Sequence, residues 1–306
     1  MSRGDRKENI FLNDVDRQDF LKTLAEACQK ADFQVHAYCL MSNHYHLVVE
    51  TPKGNLVAGM RWLQSAYTIR LNHRHHLSGH VFSGRYKALV VDGKGGYLRT
   101  VCDYVHLNPV RAELIEGQAR LLEYPWSSFG SYLAAREHRP AWLRVDRLLG
   151  EHGIHGDTQK GREQFERRME ARRGQEESPE QWRTIQRGWC LGAPEFKKEL
   201  LQRVEEQMGS AHSGQMKQEG AQAKAQRIVT DELKALGWKE RELEQRAKGD
   251  PCKVAIAARL REETTLSIRE IAQLLHMGKA ESLNSKLYKL RKNNEVKVDQ
   301  KYKTMV

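Results

Sequence analysis

Residues 33–50 read FQVHAYCLMSNHYHLVVE. β-Branched and aromatic residues alternate with others on both sides of Ser42-Asn43, a turn-forming pair, and the pattern predicts an antiparallel hairpin. Upstream, residues 14–31 (DVDRQDFLKTLAEACQKA) place Phe20, Leu21, Leu24 and Cys28 at helical spacing, with Asp14 or Asp16 as the capping residue. Downstream, residues 51–55 (TPKGN) turn the chain into a second helix from Leu56 to about Asn72, whose spine is Leu56, Met60, Leu63 and Tyr67. Residues 79–92 (GHVFSGRYKALVVD) predict a further strand pair or one long bent strand. Gly93 to Gly96 lead into a helix from Tyr97 to about Leu107, which Asn108-Pro109 interrupts. Helices alternating with hairpin strands make this an α+β domain.

Beyond residues 124–129 (YPWSSF) the pattern changes. Residues 151–205 read as charged and helical with no strand signal, residues 208–226 as a flexible linker rich in Gly, Ser, Gln and Ala, and residues 227–306 as a compact helical unit. The organisation expected is a first domain over 1–135, a charged helical region over 136–207, the linker over 208–226 and a last domain over 227–306. A net charge of +11 over 306 residues calls for a polyanionic partner, nucleic acid or an anionic surface. No apolar run approaches the roughly 20 residues needed to span a bilayer, so no membrane role is expected. The charged first ten residues have no apolar core of a signal peptide, and the five scattered cysteines read as reduced thiols. A cytoplasmic protein is the expectation.

Within the hairpin, His44 and His46 lie two apart in one strand and project to the same face, with Cα atoms roughly 6.5–7 Å apart. Two imidazoles at that separation can converge on one divalent cation, although a bare pair of this kind also occurs as incidental strand histidines. Tyr104 and Asn108 are i and i+4 on the helix that starts at Tyr97. A phenol beside an amide oxygen suits a nucleophile paired with a third metal ligand. Alternatively Tyr104 is a buried helix tyrosine and Asn108 the N-cap of a following helix with Pro109 at its first position. With no cysteine beside the pair, Mn²⁺ or Mg²⁺ fits the donors better than Zn²⁺.

Arg85, Tyr86 and Lys87 alternate near Phe82 and mix cations with stacking faces, as single-stranded DNA binding requires; a salt-bridged surface strand is the other reading. His73, His75 and His76 read as a solvated basic loop without a partner carboxylate. In the last domain, residues 266–290 (LSIREIAQLLHMGKAESLNSKLYKL) carry Ser267 as a cap, a first helix, a short turn at His276-Met277-Gly278, and a second helix with Leu283, Leu287 and Leu290 inward. Lys279, Asn284 and Lys286 are on the outward face of a helix-turn-helix able to enter a major groove; a three-helix packing bundle is the alternative.

The blocks AYCLMSNHYHLVVETP (37–52), GHVFSGRYKALVVD (79–92), YLRTVCDYVHLNPVRA (97–112) and YPWSSFGSYL (124–133), taken in order, resemble the HUH single-tyrosine transposase domain, in particular the REP-associated tyrosine transposases. The resemblance covers roughly residues 3 to 135. It implies a ferredoxin-like antiparallel sheet backed by helices, and metal-assisted cleavage of single-stranded DNA beside hairpins through a 5′-phosphotyrosine. By position, the paired histidines fall on His44 and His46, the nucleophile on Tyr104, and an amide ligand on Asn108. Relatives also carry a further strand ahead of the segment matched here by RGDRKENIF (3–11), which this sequence does not show.

Three functions follow as alternatives. The first is a DNA strand transferase with an appended duplex-binding domain, acting as monomer or homodimer. The second is a domesticated, non-catalytic DNA-binding protein. The third is a metal-dependent nuclease in which water replaces Tyr104.

Overall fold

A computed structural model describes residues 1–117, 119–173, 185, 188–208 and 215–303. The described residues form two compact units. The first takes in Met1–Cys28, Asp32–Pro52 and the described part of 60–212, the second 29–31, 53–59 and the described part of 213–306.

In the first unit, β1 (Ser2–Arg3) is followed by α1 (Asp14–Ala31), β2 (Gln34–Leu40), β3 (His44–Glu50) and α2 (Leu56–His75). The helix α1 begins as the apolar spacing requires, but its cap is Asn13 and not Asp14 or Asp16. Asn13 Oδ1 accepts from the Asp16 amide, and the Asp16 carboxylate accepts from the Asn13 amide, a reciprocal pair that satisfies two otherwise unpaired N–H groups. The strands β2 and β3 form the expected hairpin, with Leu40 opposite Tyr45 and Gln34 opposite Glu50. A bulge between Val35 and Ala37 shifts the register once. The strand β1 pairs antiparallel on the other side of β3, with Ser2 opposite Tyr45 and Arg3 opposite His44.

The segment after α2 closes the sheet. Gly4 bridges Phe82 in antiparallel sense, the Asp5 amide donates to Val81 O at 3.0 Å, and the Ser83 amide donates to Arg3 O at 2.9 Å. The spatial order is therefore residues 81–83, β1, β3, β2, with helices between the first and second and between the third and fourth chain passes. This is the ferredoxin-like arrangement, in an α+β fold. Residues 79–92 do not form the strand pair expected of them: only the Phe82 bridge and β4 (Val90–Val91) are regular, because Gly84 at φ 65° takes the chain out of the extended region. The strand β4 pairs in parallel with β5 (Cys190–Leu191), a strand inside the stretch that reads as purely helical. Two residues are too few to leave a periodic signal, and the pairing exists because Val90-Val91 supplies a ladder.

One face of the sheet packs on α1 and α2 through an aromatic cluster. Phe20 lies 4.7 Å from Tyr45 and 5.1 Å from Tyr67, and Phe82 lies 5.9 Å from Tyr45, ring centre to ring centre. Gln64 Nε2 donates to Ser2 Oγ and Tyr45 Oη at this face. By alternation, Arg3, His44 and His46 point to the opposite face.

The chain beyond residue 135 is part of this unit. The helices α5 (Phe129–Leu133), α6 (Asp146–Glu151) and α7 (Gln159–Ala171) follow, and Phe129, Tyr132 and Phe165 are all fully buried, with Tyr132 and Phe165 stacked at 5.1 Å. The α7 stripe Gly161, Phe165, Met169 is short and embedded in charges, so the sequence pattern reads as solvated while tertiary packing buries it.

Further along the chain are α8 (Pro194–Met208), α9 (Gln215–Leu236), α10 (Glu242–Gln245), α11 (Pro251–Glu263), α12 (Ile268–Leu274) and α13 (Ala280–Lys303), which apart from α8 make up the second unit. The helix α8 belongs to the first unit. The helix α9 takes up most of the stretch read as a linker; Ala, Gln and Lys are good helix formers, and Gly220 alone does not stop them. Residues 209–214 lie outside the described residues. Ile228, Val229, Leu243, Ile256, Leu260, Ile271 and Leu283 share one core.

Candidate active site

The hairpin turn sets the site. The Met41 amide donates to His44 O at 2.8 Å, which closes the turn around Ser42-Asn43. Asn43 Nδ2 donates to Lys7 O at 3.1 Å, so its Oδ1 is the acceptor facing His44 Nδ1, 2.7 Å away. His44 Nδ1 must then carry the proton, which leaves Nε2 with its lone pair available. The His44 and His46 rings lie 5.1 Å apart, at 74° to each other. Burial lowers His44 to about 4, with Arg3 and the Met1 amino group adding to the effect. Burial lowers His46 to about 3, helped by His44, the Met1 amino group, Arg3 and Arg111. Both rings are therefore neutral at physiological pH, the state in which an imidazole ligates a metal.

Opposite the pair runs α3 (Tyr97–His106), whose residues Leu98 and Val101 to His106 are buried. The Tyr104 ring lies 5.9 Å from the His46 ring, and Tyr104 is 7% exposed. Leu107 keeps a helical backbone (φ −87°, ψ −3°), and α4 (Asn108–Arg111) follows directly. The turn therefore continues, and Asn108 stays one turn beyond Tyr104 as the i+4 reading requires. Asn108 is not a helix cap: Leu107 holds that position without a side-chain bond, and Pro109 is the second helical residue. Instead Asn108 is buried, and its Nδ2 has no hydrogen-bond partner among the described residues. An amide left so is costly; turned over, it would aim its oxygen at the same spot.

Two arginines absent from the sequence reading complete the surroundings. Arg3, exposed and opposite His44, makes no ion pair with its guanidinium among the described residues. Arg111 places its guanidinium carbon 4.7 Å from the centre of the Tyr104 ring, while Nη1 donates to Tyr104 O at 2.9 Å. No sequence signal marks Arg3, because its neighbourhood exists only once β1 pairs with β3. Arg111 at i+7 from Tyr104 was legible as a same-face helical position.

The tyrosine helix is anchored through its neighbours in sequence. Asp103, fully buried, accepts from His152 Nε2 at 3.0 Å and from Arg172, both beyond residue 135. His106 Nε2 lies 2.8 Å from Ser128 Oγ, and the His106 ring packs 5.1 Å from Tyr132. An Asp and a His inside an apolar helix face were the available clue to this tie.

Other candidates separate from the site. Arg85 and Lys87 are exposed and Tyr86 half-buried, in an irregular segment and not on a strand. The Lys87 backbone exchanges hydrogen bonds with Met1 (2.8 and 3.0 Å), which lays this segment beside β1. His75 ends α2 and bonds the buried Asp16 carboxylate at 2.8 Å, alongside Arg74. It has the carboxylate partner that the sequence did not show, and it supports the start of α1. In the second unit, Ser267 caps α12 through a reciprocal bond with Glu270, and His276 and Gly278 adopt positive φ in the turn to α13. Lys279 and Asn284 are exposed on α13 or just before it, whereas Lys286 is half-buried and bonds Ser282 Oγ.

Among the described residues no group of three or more His, Cys, Asp or Glu side chains could hold a metal ion. No helix there is long and apolar enough to cross a membrane. Residues 3–108 match the model of the family described as "Transposase IS200 like". That match takes in about a third of the chain, from β1 to Asn108, and it supports a transposase-type domain acting on DNA. No curated protein and no solved structure matches.

Proposed function

We propose that this chain is a DNA strand transferase of the REP-associated tyrosine type, cutting and rejoining single-stranded DNA beside hairpins with Tyr104 as nucleophile. The observation that carries the reading is the approach of Tyr104 to His46, at 5.9 Å between rings, inside the segment that matches IS200-like transposases. The Tyr104 oxygen bonds phosphorus as the P–O3′ bond breaks. The phenolic proton is lost, and the departing oxygen takes up a proton as a 3′-hydroxyl. The phosphotyrosine keeps the phosphodiester energy, so a second 3′-hydroxyl reverses the step and joins strands without a nucleotide cofactor.

The donor set fits a divalent cation, Mn²⁺ or Mg²⁺: two neutral imidazoles with an oriented lone pair on His44, and the buried amide of Asn108. Such an ion, when bound, polarises a phosphate oxygen and stabilises developing charge. His44, His46 and Asn108 would hold it. The phenol is positioned by Arg111 against its ring and carbonyl and by the Asp103 tie one residue back. The segment Arg85 to Lys87 would carry the exposed strand, and Lys279, Asn284 and Lys286 of the second unit would touch duplex DNA. Monomer and homodimer, with Tyr104 used in either subunit, are both compatible with this assignment.

The test incubates the full chain with labelled single-stranded hairpin oligonucleotides and Mn²⁺ or Mg²⁺, followed by a denaturing gel. A covalent protein–DNA band, lost with EDTA and in Tyr104→Phe, is expected. Cleavage that survives Tyr104→Phe points to a water nucleophile, and binding without any covalent band points to a non-catalytic DNA-binding protein; either result overturns the proposal.

A further inference from the structure

The His44–His46–Tyr104 row has a cation at each end. Arg3 is directly opposite His44 in the β1–β3 ladder, which puts their side chains on one face of the sheet about 5 Å apart at Cβ. Arg111 covers the Tyr104 ring at the far end, 4.7 Å from its centre. Both arginines are exposed, and together with the Met1 amino group they are the charges that act on His46 from outside the pair. A cluster of two neutral imidazoles, a phenol and two guanidiniums is cationic, and it lies where a phosphodiester must sit for Tyr104 to reach phosphorus.

Resting on the strand-transfer reading above, we infer that Arg3 and Arg111 form a phosphate seat, gripping the reacting phosphodiester from the β1 side and from the tyrosine side. A planar guanidinium can give two parallel N–H bonds to two phosphate oxygens, which fixes orientation as well as charge. Arg111 has a second task that Arg3 lacks. Its bond to Tyr104 O and its place against the ring couple the seat to the nucleophile, so a strand held by Arg111 is held in register with the phenol. Arg111 is in that respect a positioning residue, and a lysine in its place would keep the charge without the planar fork.

The experiment measures binding of a 20-nucleotide deoxythymidine strand to the full chain in EDTA, between 50 and 200 mM salt, for wild type, Arg3→Gln, Arg111→Gln, Arg3→Lys and Arg111→Lys. Lys22→Gln, exposed on α1, is the control. Each phosphate contact contributes about 0.7 to the slope of log K against log salt for single strands. Each glutamine variant is expected to flatten that slope by about 0.7, which is about a 2.6-fold smaller loss of affinity over this range. The lysine variants and Lys22→Gln are expected to keep the wild-type slope. In hairpin cleavage with Mn²⁺, Arg111→Lys is expected to lower kcat while leaving KM unchanged. Wild-type slopes in both glutamine variants overturn the seat, even where wild type forms the covalent adduct. Flattened slopes without any adduct in wild type keep the seat and overturn strand transfer instead. Because Arg3 is exposed and bonds nothing through its side chain among the described residues, its variant reads the seat without disturbing the fold.

Discussion

Acidification from pH 7.5 to 5.5 separates His44 and His46, the proposed metal ligands, from an ordinary histidine pair. Two histidines near the usual 6.5 that must both be neutral to ligate would lose roughly 100-fold in apparent affinity over that range, since protons compete at each ring. With His44 held at about 4 and His46 at about 3, both rings stay unprotonated at pH 5.5. The apparent affinity is then expected to change by less than about twofold. Mn²⁺ titrations followed by the free-ion paramagnetic resonance signal, on the full chain at pH 7.5, 6.5 and 5.5, give the constants. Ring ¹H–¹⁵N spectra of metal-free protein report the same imidazoles without relying on the ion. The sign for stability follows. The folded values lie below the unfolded one, so the unfolded chain binds more protons between about pH 3 and 6.5, and stability falls as pH drops through that window. A tenfold or greater loss of Mn²⁺ affinity by pH 5.5, or ring signals of His44 and His46 titrating near 6.5, would refute the argument that burial, the flanking arginines and the Met1 amino group set their charge.

Three further outcomes are expected. Phe165→Ala opens a cavity among Phe129, Tyr132, His106 and His152 and should cost about 3–5 kcal/mol, lowering the melting temperature by roughly 10 °C; an unchanged melt would show that residues beyond 135 do not stabilise the first unit. Gly4→Ala would drive a Cβ to 2.1 Å from Glu8 O and should cost about 1–3 kcal/mol, seen as a lower urea midpoint at constant slope; a wild-type midpoint would mean that β1 adjusts without loss. Lys253→Met removes the buried ammonium that donates to Leu243 O and His276 O (2.8 and 3.2 Å) and should cost about 1–3 kcal/mol, with faster amide exchange around Leu275 to Gly278; exchange at the wild-type rate there would contradict its role in holding the turn.

The hairpin, its turn and the two long helices were legible because each is set by a local period. Alternation over 34–50 fixed both strands and put His44 and His46 on one face, and the apolar spacing of 14–31 and 56–75 fixed the helices that cover the other. The second unit was read from a similar local pattern, Ser267 with Glu270 at one end and the His276–Gly278 turn at the other.

What tertiary structure alone decided lies in contacts between segments far apart in sequence. Arg3 acquires a place beside His44 only through strand pairing across some forty residues, and Val90-Val91 becomes a strand only because Cys190-Leu191 arrives alongside it. Asp103 and Phe165 look like a solvated carboxylate and an isolated aromatic until His152 and Arg172, or Tyr132 and His106, close around them. Local propensity carries the period of an element but not the identity of its neighbour. The sequence by itself therefore determined the elements that carry His44, His46 and Tyr104, and folding decided which charges surround them and which parts of the chain hold the tyrosine helix in place.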